Sequence, residues 1–271
     1  MRKLVLLLLL TALPGFAGVT YTAETRTILG AKDSNGDFRV QGWISGNHAR
    51  MEFLQSELPE LETGTYLVSS DGGVSVFLVN PKRKTYEQWD INAMISNMAD
   101  MMRSMRGEMR VRFEEPKVEK LLEEVGPKID GMPTRHYRFR TSYKASIDMY
   151  DTETVSTVTE EDIWTTTAIT EPGVKVFLDR RMSSGDEQLD RILDKEMSKV
   201  IGFPLRRLTS TRQQTKKQVT ETRAEMNVSN VKNVDVENSM FEVPKGFTEV
   251  DPNEPGMERA LKQLRKDQQK Q

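Results

Sequence analysis

"FRVQGWISGNHARMEFL", residues 38–54, carries the pattern on which the fold turns. After the Gly46-Asn47 pair, Ala49, Met51 and Phe53 fall on one side of an extended chain. His48, Arg50 and Glu52 fall on the other. A period of two marks a strand buried on one face. The two arms around Gly46 therefore read as a β-hairpin, with Met51 and Phe53 on its apolar side.

The same signal extends in both directions. Upstream, "VTYTAETRTI" (residues 19–28) alternates loosely and is rich in threonine, and "KDSNGD" (32–37) supplies turn chemistry. Asp33, Asn35 and Asp37 also hint at a calcium loop, but Phe38 stands where that loop needs glycine and Ile44 where it needs glutamate. A hairpin turn is the better reading. Downstream, "TYLVSS" and "VSVFLVN" flank Asp71-Gly72-Gly73, a hairpin signal because such turns need positive φ. Pro81 stops pairing, and "KTYEQW" resumes an extended run.

The period becomes helical in "INAMISNMADMMRSMRGEM", residues 91–109, which holds six of the chain's 15 methionines. Met94, Met98, Met101, Met102, Met105 and Met109 form one stripe with Ile91 and Ile95, opposite Asn97, Asp100, Arg103 and Arg106. This predicts a helix over 91–107. Unbranched thioethers fill irregular space, so the stripe is either fixed core or a removable lid over an apolar cavity. Thioethers also select Cu(I), but the two histidines, His48 and His136, lie far off in sequence and there is no cysteine. A stripe is what any amphipathic helix produces, and no metal site is expected.

Further extended runs follow, through "MRVRFEE", residues 134–140, "YKASIDMY" and "EEDIWTTTAI". Glu160, Glu161 and Asp162 read as a solvated strand start that discourages edge pairing. A second helix is expected at 187–200, with Leu189, Ile192, Leu193, Met197 and Val200 on one stripe and Gly202 and Pro204 ending it. "PLRRLTSTRQQ" and "KQVTETRAEMNVSNV" read as two long paired strands, and "FEVPKGFTEV" closes the domain. Antiparallel strands with two internal helices make one α+β domain over 18–252. Residues 253–271 form a charged, flexible or frayed helical tail.

The start, "MRKLVLLLLLTALPGFAG", has two positive charges, an apolar run too short to span a bilayer, and small residues at Gly15 and Ala17. That is the build of a signal peptide over 1–17, cleaved after Ala17. No cysteine follows for a lipid anchor, and no transmembrane segment is expected after cleavage, so the mature protein is expected in the periplasm or secreted. Without Arg2 and Lys3, the 39 basic residues fall to 37 against 41 acidic ones. That near balance argues against nucleic-acid binding, which needs a clustered basic surface. The absence of cysteine excludes disulfides and thiolate chemistry.

The order of these pieces resembles the outer-membrane lipoprotein carrier fold, and in particular a DUF4412-like group of exported proteins. The resembling stretches are "GNHARMEF", "YLVSSDGGVSVFLVNPKRKTYEQW", "GPKIDGMPTRHYRFR", "EEDIWTT", "GFPLRRL" and "VDVENSMFEVPKGFTEV", which together span most of residues 38–250. The resemblance implies a strongly curved antiparallel sheet, an incomplete β-barrel, with the two helices over its concave face. It also implies an inner surface that holds acyl chains or other apolar ligands. The arginine with which those carriers work their lid is not matched in this chain, so their partners are not carried over.

No nucleophile elbow, phosphate loop or paired zinc histidines occur in the sequence, so neither an enzyme nor a cofactor is expected. The expected function is an exported, non-catalytic binding protein for an acyl chain, lipoprotein or other amphiphile. Its candidate ligand-binding residues are Ile91, Met94, Ile95, Met98, Met101, Met102, Met105, Met51, Phe53, Leu189 and Leu193. The alternative is a structural or protein-interaction module of the cell envelope, with a self-filled core and an envelope protein as its partner.

Overall fold

The computed structural model describes residues 17–30, 36–58, 61–89, 110–114, 117–148, 152–174, 176, 190–191, 194–196, 198–199 and 201–250. These residues are nearly all β, with 65% in strands and 7% helical. The first six strands are β1 (Ala17–Leu29), β2 (Phe38–Ser45), β3 (His48–Ser56), β4 (Tyr66–Ser69), β5 (Phe77–Asn80) and β6 (Thr85–Gln88). Next come β7 (Arg110–Phe113), β8 (Lys117–Ile129), β9 (Met132–Asp148) and β10 (Thr152–Thr166). The last are β11 (Phe203–Gln214), β12 (Val219–Asp235) and β13 (Thr248–Glu249).

All thirteen strands belong to one sheet, in the order β13-β6-β5-β4-β3-β2-β1-β12-β11-β10-β9-β7, with β8 also on β9. Every pairing is antiparallel except the short parallel one between β13 and β6. The sheet is not closed. It bends strongly at one end. The Asp130 carboxylate at the β8–β9 tip accepts the Val231 amide of β12 at 2.7 Å, although β10 and β11 lie between β9 and β12. Strands sit about 4.8 Å apart across a flat sheet, so this bond requires the sheet to curl over its shorter central strands.

The hairpins read from residues 38–54 and from Asp71-Gly72-Gly73 are both present. Ser45 pairs with His48, and Gly46 takes a φ of 55°, at the position where a two-residue turn needs positive φ. Ala49 and Phe53 are buried on one face of β3 and Met51 is half-buried beside them. At the second hairpin Gly72 and Gly73 both have positive φ. The Asp71 carboxylate accepts the Ser75 amide and the Ser69 hydroxyl, which fixes the turn. The 30–37 connection joins antiparallel β1 and β2, and Asp37 Oδ1 accepts the Thr27 amide at 2.6 Å.

β4 shows no alternation: Tyr66, Leu67, Val68 and Ser69 are all buried. Both faces are covered, which removes the polar side of the pattern. On the inner side lies the main cluster of Tyr21, Val40, Ile44, Ala49, Phe53, Leu67, Leu78, Phe203, Leu205 and Val228. On the outer side, a strap of residues 236–247 inserts Phe241, 1% exposed, against Tyr66, Val68 and Val79. Arg50 holds the strap from β3. Its guanidinium lies 3.6 Å from the Tyr66 ring centroid and donates to the Met240 carbonyl.

Three expectations are corrected. The class is all-β rather than α+β, and among the described residues there are no two helices over a concave face. The expected helix 91–107 lies outside the described residues. Within 187–200, only 190–191 and 194–196 are described as helical. The strand content is larger because β9 and β10 run 17 and 15 residues, where the sequence suggests shorter, interrupted runs. β8, with 13 residues, was not anticipated. Its polar sequence and Pro127 suit a sheet edge, where a missing amide is tolerated. Finally, Glu160, Glu161 and Asp162 do not begin a strand. They lie inside β10, paired on both sides with β9 and β11.

Two connections are long for what they join. β10 and β11 are sheet neighbours, which a two-residue turn can link, yet residues 167–202 separate them. The chain between Trp89 and Arg110 joins β6, near one edge, to β7 at the other. Among the described residues no helix is long and apolar enough to cross a membrane.

Candidate functional site

The inner face of the sheet is the best-built candidate site, and it has two parts. The first is an apolar floor on β1 to β5, the start of β11 and the second half of β12. Tyr21 of β1 lies directly opposite Gly42 of β2. Its ring covers the glycine so closely that a Cβ at residue 42 would overlap Cζ and Cε1 and lie 2.7 Å from Cε2. The phenol is buried, and that burial pushes its ionisation far above the normal tyrosine range. Phe203 meets the ring edge-on with centroids 5.0 Å apart. Phe38 and Phe53 form a similar pair at 6.2 Å, and Met51 packs against the same cluster.

The second part, on β9 to β12, is lined with hydroxyl groups. Thr141, Thr159, Thr211 and Thr222 stand directly opposite one another across these four strands. The Thr159 and Thr211 hydroxyls are 3.2 Å apart. Two positions along β10 from Thr159, on the same face, lies a charged group. Glu161 of β10 is buried and receives Lys199 Nζ at 2.6 Å, and Lys199 also donates to Glu196 at 2.5 Å. The Glu196 carboxylate in turn accepts the Thr141 hydroxyl. Lys199 lies 5.9 Å from the centre of the Phe139 ring. Arg207 of β11 stands between Ile163 of β10 and Met226 of β12. Its Nε is 4.0 Å from Glu161 Oε1.

Described parts of the 167–202 connection rest on this face. At one end of the floor a 3-10 turn, Pro172–Val174, is tied down: the Gly173 amide donates to the Gly46 carbonyl, and the Gly46 amide to Glu171. Val176 joins the apolar cluster. Further along, Glu196 and Lys199 seat the same connection on β9 and β10. The connection therefore runs from the β2–β3 turn towards the polar half.

The outer face of β8 to β12 is charged and paired within itself. Arg138 bonds Asp162, Arg140 bonds Glu160, and Arg206 bonds Glu225. His136 stacks flat on Trp164 at 4.4 Å between Glu124 and Asp162, and Arg206 approaches the same indole at 5.1 Å. Each of these groups has its partners, so this ladder clips strands together. Among the described residues no group of three or more His, Asp or Glu side chains could hold a metal.

Of the residues singled out from the sequence, Met51 and Phe53 are brought together on the apolar floor. Ile91, Met94, Ile95, Met98, Met101, Met102, Met105, Leu189 and Leu193 lie outside the described residues. Sequence reasoning missed Tyr21, Phe203, Glu161, Lys199 and Arg207. A period-two reading of "TEEDIW" would have set Glu161 and Ile163 together, opposite Glu160 and Asp162. Nothing local pairs Glu161 with Lys199, 38 positions away.

These features define an open, largely antiparallel β-sheet protein whose inner face is part apolar, part hydroxyl-lined and partly covered by its own chain. The chain belongs to the family of the domain of unknown function DUF4412, whose model matches residues 30–247. No curated protein matches it.

Proposed function

We propose that the protein is an exported, non-catalytic binding protein that holds an amphiphile, such as a lipid or the acyl chain of a lipoprotein, against the inner face of its sheet. The observation that carries this reading is the division of that face. An aromatic and aliphatic floor around Tyr21, Phe53 and Phe203 adjoins a threonine-lined floor on β9 to β12. Apolar burial would supply the affinity, at about 25 cal/mol per Å² before the costs of association. The lipoprotein carrier fold that the sequence resembles uses a bent sheet in this way. The leader-like start of the chain fits delivery to the periplasm or outside the cell.

A second reading rests on a different observation. The apolar floor is closely packed, with Val176 from the long connection already on it. In that case the core fills itself and the protein serves as an interaction module of the envelope. Organic extraction of the purified mature protein, followed by mass spectrometry, separates the two. Copurified lipid at a constant ratio to protein supports the carrier, and consistently empty protein supports the module.

A further inference from the structure

Arg207 has donors that the fold leaves unused. Its Nε is shut off from solvent and donates to no described group. Among the described residues its ion-pair neighbour is Glu161, at 4.0 Å, beyond hydrogen-bond reach. The Glu161 charge is already met by Lys199, whose side chain is 3% exposed. Buried donors are nearly always satisfied, so an idle one asks for a partner. The Arg207 side chain as a whole is 42% exposed, although its Nε is shut off.

Its place in the sheet says which guest. Leu205, two residues earlier, is fully buried in the apolar floor, and Thr209 and Thr211 continue β11 into the hydroxyl-lined part. Met226 and Ile163, directly opposite on the neighbouring strands, flank it with apolar surface. Arg207 thus stands at the boundary between the two floors, where the head of an amphiphile would lie if its chain ran over Phe203 and Tyr21. A planar guanidinium with its donors free suits a carboxylate or phosphate.

We propose that Arg207 anchors the anionic head of an amphiphile, carboxylate or phosphate, whose chain occupies the apolar floor. This rests on the carrier reading above and adds the charge of the ligand and the residue that selects it. The test measures binding of a fluorescent fatty acid, its methyl ester and inorganic phosphate to the mature protein at pH 7.5. The same three probes are applied to Arg207→Gln and Arg207→Lys, with thermal unfolding to confirm that both variants fold.

The acid should bind roughly 10- to 100-fold more tightly than the ester, the range of one charge-assisted bond. Arg207→Gln should abolish that preference while leaving ester binding within about threefold, and Arg207→Lys should keep part of it, because Lys retains the charge without the fork. Equal binding of acid and ester by the parent protein, or a preference that survives Arg207→Gln, overturns the anchor and leaves the carrier reading standing. Failure of both acid and ester to bind overturns the carrier reading itself. Arg207-dependent binding of phosphate alone would mark a free-anion site and overturn the amphiphile.

Discussion

Replacing Lys199 with methionine removes the only cation, among the described residues, within hydrogen-bond reach of a buried carboxylate. The two side chains are 3% and 10% exposed, with Nζ 2.6 Å from Glu161 Oε2. Glu196, the other partner, is 34% exposed and can turn to water. The cost therefore falls on Glu161, which among the described residues keeps only Arg207, 4.0 Å away. Breaking a buried pair from one side costs about 3–5 kcal/mol. Removing both charges, in Lys199→Met with Glu161→Leu, should be nearly neutral or stabilising, because two desolvated ions give way to packed apolar groups beside Phe139. Urea unfolding at pH 7 measures both, with the slope checked for unchanged two-state behaviour. A single variant losing less than about 1 kcal/mol, or a double variant losing the sum of both singles, would refute the argument that this pair is buried and interdependent.

Other expectations follow from the same geometry. Gly42→Ala should lower stability by at least the 1–3 kcal/mol typical of overpacking, because its methyl would overlap the Tyr21 ring. Thermal unfolding should show most of that loss disappear in a Tyr21→Ala background. Phe241→Ala should cost about 3–5 kcal/mol and expose the 236–247 strap to protease, which a timed digestion would reveal. At Asp71, burial alone would raise the carboxyl, but the Ser75, Ser69 and own-backbone hydrogen bonds outweigh it and hold the group below the ordinary carboxylate range. Its stabilisation is therefore complete above the usual aspartate value of about 4 and lost as pH falls through the lowered one. The melting-temperature gap between the parent and Asp71→Ala should stay constant from pH 7 to about pH 5 and narrow in stronger acid.

How far the sequence revealed the fold depended on what covers each strand. β3 was legible because one face meets the core while His48, Arg50 and Glu52 face outwards, so its alternation survives. β4 and β5 gave their turn away through Asp71-Gly72-Gly73, although cover on both faces erased their period. β8 was silent for the opposite reason: both of its faces are largely exposed, so no apolar stripe was needed. The α+β expectation gave too little weight to threonine-rich text at 134–166, which builds the two long strands β9 and β10. Within the site, Met51 and Phe53 followed from local alternation. Glu161, Lys199 and Arg207 did not, because a buried ion pair is a long-range fact and charged residues read one at a time look solvated.

The inner face as a seat for an amphiphile is tested most directly by a crystal structure of the mature protein grown with a brominated fatty acid. The account predicts anomalous bromine signal over the apolar floor near Tyr21 and Phe203, with the carboxylate within hydrogen-bond distance of Arg207. Bromine found only on the outer face, or a floor filled wholly by the protein's own side chains with no bound acid, would contradict it.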